Sequence, residues 1–191
     1  MSDKPTYLGL LNAISLGESE AECYLNGWAA TTHRDDVRAV ISTVAIREGE
    51  HGKAFAKRIC ELGYAVKPKS TSKARTGAEA KPDSKMEIAC STELSDREKF
   101  EKLQLGRAPK EGTTDVFASF FDDSTIDIQT GALLGRYIAE ERDSGRMLRG
   151  CYEQLCREES GSVASVTATL EPLAAQLGRI EMLLEKLVAK K

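Results

Sequence analysis

Three stretches of the sequence space apolar residues alternately three and four apart, and each stripe is interrupted midway by ionisable residues. The first runs Leu11, Ile14, Glu18, Ala21, Leu25, Trp28. The second runs Val37, Ile41, Val44, Glu48, His51, Phe55, Ile59, Leu62. The third runs Leu134, Tyr137, Glu141, Ser144, Leu148, Cys151, Leu155. This spacing places each set on one face of an α-helix, the face that must be buried. No stretch alternates convincingly with the period of a strand, and aromatic residues are only 6% with one Trp. A β-sandwich or a base-stacking surface draws on more, so the chain reads as all-α.

The expected organisation is two helices over Pro5–Thr31 and Asp35–Leu62, forming a hairpin over 5–64. Asp35 and Asp36 suit an N-cap and first turn, and Gly63 suits a left-handed stop. A crossover over 65–92 follows. Its core, Lys67 to Lys85, reads KPKSTSKARTGAEAKPDSK, with six basic residues against two acidic and no large apolar one. Such a composition suits a solvated, mobile connection. The second half, 93–158, opens with the capping-box pattern Ser95-Asp-Arg-Glu98, passes a short apolar piece at Asp115–Phe121, and ends in a long helix from Ile126 to Glu158.

A last stripe, over 162–190, spaces Val163, Val166, Leu170, Leu173, Leu177, Ile180, Leu184 and Leu187 like a coiled-coil seam. Pro172 suits a first turn, so this helix is expected to start near Glu171 and to close the bundle as a fourth helix. The alternative is that it projects and dimerises.

Several function classes are disfavoured. Lys and Arg number 27 against 30 Asp and Glu, a net charge of −3, so no global basic field recruits nucleic acid. No apolar run approaches the roughly 20 residues that span a bilayer, and the opening MSDKPTYLGLL resembles no secretory signal. Five cysteines without a C-x-x-C pair argue against a disulfide framework or a Cys-only metal site. Cys23, Cys60 and Cys151 read as small buried packing residues. A cytoplasmic protein without a membrane or nucleic-acid partner is expected.

Burying an isolated carboxylate is costly unless its pKa moves or a cation joins it. Three glutamates, each halfway along a different stripe, converge if the helices pack together. Glu48 and His51, at i and i+3, share one helix face and can reach one metal. Carboxylate oxygen with imidazole nitrogen suits iron or manganese, and zinc as well. The candidate ligands are therefore Glu18, Glu48, His51 and Glu141, with Glu140 as the alternative inward-facing residue beside Glu141. A single glutamate on such a stripe otherwise reads as a rim residue.

LLNAISLGESEAECYL followed by AIREGEHGKAFAKRICELGY resembles the first helical hairpin of rubrerythrin-type ferritin-like proteins. The likeness covers about residues 7–64. It implies a ferritin-like four-helix bundle with a long crossover after the second helix, and ligand positions at Glu18, Glu48 and His51. It further implies non-haem iron, di-iron or mononuclear, and oxidoreductase chemistry on dioxygen or peroxide. Electrons would come from an external donor, because no rubredoxin module is visible.

The second half departs from that pattern. A second E-x-x-H is expected, but the only other histidine, His33, lies in the turn between the first two helices and reads as solvated. Glu141-x-x-Ser144 stands either for that motif in decayed form or for the third helix's single glutamate. Tyr137, one turn before Glu141, is either a hydrogen-bond donor to the site or an ordinary core tyrosine. Asp122, Asp123 and Asp127 read as solvated caps, with oxygen ligation as their other use. The rival to a metal oxidoreductase is a non-catalytic helical bundle for interaction or assembly with a degenerate site. A homodimer or higher homo-oligomer is expected in either case.

Overall fold

The computed structural model describes residues 4–68, 84–107, 115 and 117–188, with side chains as far as 160. The described residues contain helices and no strand. Helix α1 spans Leu8–Thr31, α2 Asp35–Glu61, α3 Lys85–Cys90, α4 Asp96–Leu103 and α5 Ile128–Val188, with a 3-10 turn at Ala118–Phe121. None of the helices with described side chains is long and apolar enough to cross a membrane.

Helices α1 and α2 form the expected hairpin. Asp35 and Asp36 occupy the first turn of α2, where the positive end of the helix dipole favours them, although Arg34 takes the cap position itself. Gly63 ends the helix with φ of 83°, and the Tyr64 N–H reaches back 3.1 Å to the Ile59 carbonyl. A residue with a Cβ is strained at that φ, so glycine serves there.

The pairing of α1 with α2 is antiparallel: Arg38 Nε donates to the Ala29 carbonyl and Ser15 Oγ to the Gly52 carbonyl. At Gly52 the two backbones lie close. A Cβ there would stand 3.3 Å from the Ser15 carbonyl oxygen and 3.2 Å from the Ser19 nitrogen. The missing side chain lets α1 approach α2 one residue past His51.

The first part of α5 lies along both. Tyr7 Oη donates to Asp127 at 2.7 Å and Tyr137 Oη to Glu18 at 2.8 Å, so α5 runs in the direction of α1. Arg58 pairs with Asp127 at 2.8 Å and Arg47 with Asp143 at 2.7 Å, so it runs against α2. Leu11, Ile14, Phe55, Ile59, Leu134, Tyr137 and Ile138 form a common core. Of the stripe residues, Glu18, Glu48, His51 and Ser144 are polar and buried.

Helices α3 and α4 begin with capping boxes, Ser84 with Glu87 and Ser95 with Glu98. They pack at the C-terminal end of α1, where Trp28, fully buried, donates its indole N–H to Asp96 at 2.7 Å and meets the Phe100 ring edge-on. Helix α3 lies within the stretch expected as a crossover, and residues 69–83 of that stretch lie outside the described residues.

Residues 1–152 make one compact unit and 153–191 a second. Helix α5 includes residues 159–170 and Pro172, where the sequence suggested two separate helices. A proline removes one backbone hydrogen bond, a local cost that need not end a helix whose spacing continues on both sides. The apolar stripe from Val163 to Leu187 falls on side chains outside the described residues, so its expected role in closing the bundle or dimerising stays an expectation.

The sequence reading of the cysteines needs correction. Cys23 and Cys60 are exposed and Cys151 is half-buried, not packed in the core. Cys23 and Cys60 each lie one step off a helical stripe and are turned by about 100°, enough to carry them to the solvent side. His33 is exposed, as expected.

Candidate metal centre

Glu18 of α1, Glu48 and His51 of α2, and Glu141 of α5 each present one ligating atom, and these four atoms all lie within 4.8 Å of one another. Glu18 is 8% exposed, Glu48 7% and His51 4%; Glu141 is half-buried. The grouping follows from the stripes. Each helix turns its apolar face inward, and the one acidic residue midway along each face is carried in with it.

The imidazole fixes the polarity of the cluster. Its Nε2 lies 2.7 Å from Glu140 Oε2, and Glu140 is itself held by Arg136 Nε at 2.8 Å. A carboxylate accepts and cannot donate, so Nε2 carries the proton. Nδ1 then faces the other way, 3.3 Å from Glu141 Oε1 and 3.9 Å from Glu18 Oε2. Neither approach makes a hydrogen bond. Glu18 Oε2, His51 Nδ1 and Glu141 Oε1 are all buried without a hydrogen-bond partner among the described residues.

Three buried acceptors facing one another is an unfavourable arrangement unless a positive charge sits among them. A proton on Nδ1 is one remedy. Burial pushes the His51 pKa down, but the Glu141 and Glu140 carboxylates outweigh burial and leave it raised. A metal ion is the other, and the donor set of carboxylate oxygens with one imidazole suits one.

Glu48 reports the same crowding. Burial pushes its carboxyl far above the usual range, and the neighbouring carboxylates of Glu18 and Glu141 push it further the same way. Tyr24, burying its ring nearby, is pushed up to about 12 by burial and then by Glu48 and Glu18.

Tyr137 combines both roles the sequence allowed. It is a core residue, edge-on to His51 with ring centroids 5.0 Å apart and to Phe55 at 5.3 Å. It also donates to Glu18 Oε1, and its own proton is held more tightly than in an ordinary tyrosine because of burial and the charges of Glu18 and Glu141. Glu140 and Glu141 both reach His51, on its two opposite nitrogens.

Ser144, where a second histidine of the E-x-x-H pattern would stand, is 2% exposed and lies 3.4 Å from Arg47 Nη1. The aspartates before α5 lie apart from the cluster. Asp127 caps α5, accepting from the Gln129 and Thr130 backbone N–H groups at 3.0 Å, and Asp123 accepts from Thr125. Asp122 is exposed.

The residues that sequence reasoning missed are Glu140 as the partner of Nε2, Tyr24 and the buried guanidinium nitrogen of Arg149. The doublet Glu140-Glu141 was the available signal for the first. Compared with family models, with curated proteins and with solved structures, the chain matches none of them.

Proposed function

We propose that the chain is a ferritin-like, rubrerythrin-like helical protein whose centre holds non-haem iron, with manganese as the alternative metal, and serves an oxidoreductase acting on dioxygen or peroxide or oxidising iron. The observation that supports this most is the set of buried, unpartnered acceptors on Glu18, His51 and Glu141. Glu18, Glu48, His51 and Glu141 would hold the ion, which when bound would supply Lewis acidity and a redox couple.

The chain's own groups prepare that role. Glu140, fixed by Arg136, keeps the proton on Nε2 and leaves the Nδ1 lone pair aimed at the cluster. Tyr137 holds one oxygen of Glu18 and leaves the other free. Glu48, carrying a proton when the charges around it are uncompensated, would release it as a cation enters. Electrons would come from an external donor, and a homo-oligomer is the proposed assembly.

One observation favours the second reading, a non-catalytic bundle with a degenerate site: Ser144 occupies the place of the second histidine. Anaerobic reconstitution of the full chain with iron(II), removal of excess metal, and counting of the retained iron separates the two. Near-stoichiometric iron, and an absorbance change on adding peroxide, are expected for the metal centre. A chain that retains no iron or manganese overturns it.

A further inference from the structure

A cavity of about 420 Å³ has Glu18, Glu48 and Glu141 in one part of its wall. A volume of this size suits a small molecule. Lys85, Arg107 and Arg149 line the same cavity. Arg149 Nε is buried and has no hydrogen-bond partner among the described residues. Lys85 is held over the Tyr24 ring, its Nζ 5.3 Å from the centroid.

With a metal ion held by Glu18, Glu48 and Glu141, the charge left on the wall would be that of Lys85, Arg107 and Arg149, which favours an anion. A guanidinium offers several donors in a rigid fork that matches a carboxylate. The guanidinium of Arg149, which lines the cavity, is therefore the group that suits an anion's carboxylate. Leu25, Val44 and Leu148 supply apolar wall, so the anion that fits best has a hydrocarbon body.

We propose that this cavity is the substrate pocket of the metal centre and binds a small organic acid, its carboxylate on Arg149 and its hydrocarbon body along Leu25, Val44 and Leu148. The inference rests on the reading of the cluster as a metal centre, because it names what that centre would act on.

Calorimetric titration of the full, manganese(II)-reconstituted chain with hexanoate tests it, with hexan-1-ol and inorganic phosphate as separate arms. Hexanoate is expected to bind, and hexan-1-ol and phosphate to bind at least about tenfold more weakly, since each lacks one half of the match. Arg149→Gln is expected to weaken hexanoate about tenfold with the metal content unchanged. Arg107→Gln, on the same wall, provides a second variant should the first fail to fold. No hexanoate binding, or binding unaffected by either substitution, overturns the proposal. Metal retained without hexanoate binding overturns the pocket alone. Hexanoate bound by a chain that retains no metal supports the ligand class and overturns the metal centre.

Discussion

His51 Nε2 lies 2.7 Å from Glu140 Oε2, and this contact decides where the other imidazole nitrogen faces. In the neutral imidazole the proton sits on Nε2 towards Glu140, and the Nδ1 lone pair is directed at Glu141 and Glu18. Glu140 thus acts on the candidate centre through the histidine. Glu140→Ala is expected to lower metal affinity by about 10–100-fold, the range found for partners that orient a ligating histidine. Competition with a chelator of known affinity measures it. An unchanged affinity would mean that Glu140 does not set the ring's orientation.

Glu48→Gln separates the cost of the cluster from its use. The carboxyl is 7% exposed and crowded by Glu18 and Glu141, so an uncharged amide of the same shape should relieve the metal-free protein. A gain of about 1 kcal/mol would raise Tm by roughly 2–4 °C in a chain of this size. Melting curves in chelator should show the rise, and metal retention should fall in the same variant. A lower Tm in chelator would show that the Glu48 carboxyl stabilises the metal-free protein and is not a cost to it.

Asp127 predicts part of the acid sensitivity. Burial pushes its carboxyl up, but hydrogen bonds from Thr130, Tyr7 and Arg58 outweigh that and hold it well below its usual range. Its folded pKa is lower than the unfolded value of about 3.9, so between the two the unfolded chain binds more protons. The stabilisation is complete above the unfolded pKa and is lost as pH falls through the folded one. Asp127→Asn should flatten the fall in stability below about pH 4, measured by urea unfolding at a series of pH values. An equally steep fall in the variant would place the acid-sensitive groups elsewhere.

The stripes carried most of what could be read in advance. Glu18, Glu48, His51 and Glu141 were legible because an ionisable residue in the middle of an apolar helical face is either carried into the core or marks a break in the helix, and the apolar spacing continues on both sides of each with no proline between. Glu140 was harder to place, because the structure uses both members of the Glu140-Glu141 pair, one on each side of a single imidazole.

Helix α3 had a legible start in Ser84 and Glu87, but its surroundings are rich in Lys, Ser and Pro and mask it. Lys99, only 1% exposed with its Nζ on Thr31, is a burial that no local pattern announces. It depends on α4 lying across the end of α1. The cationic wall of Lys85, Arg107 and Arg149 comes from three separate segments, so only the folded chain assembles it.

The most direct test of the central claim is an anomalous difference map from crystals of the full chain grown with iron(II) or manganese(II) and recorded at that metal's absorption edge. A peak bounded by Glu18, Glu48, Glu141 and Nδ1 of His51 is expected, absent in Glu48→Gln crystals. A wild-type map with no peak there, or with metal only at surface carboxylates, would contradict it.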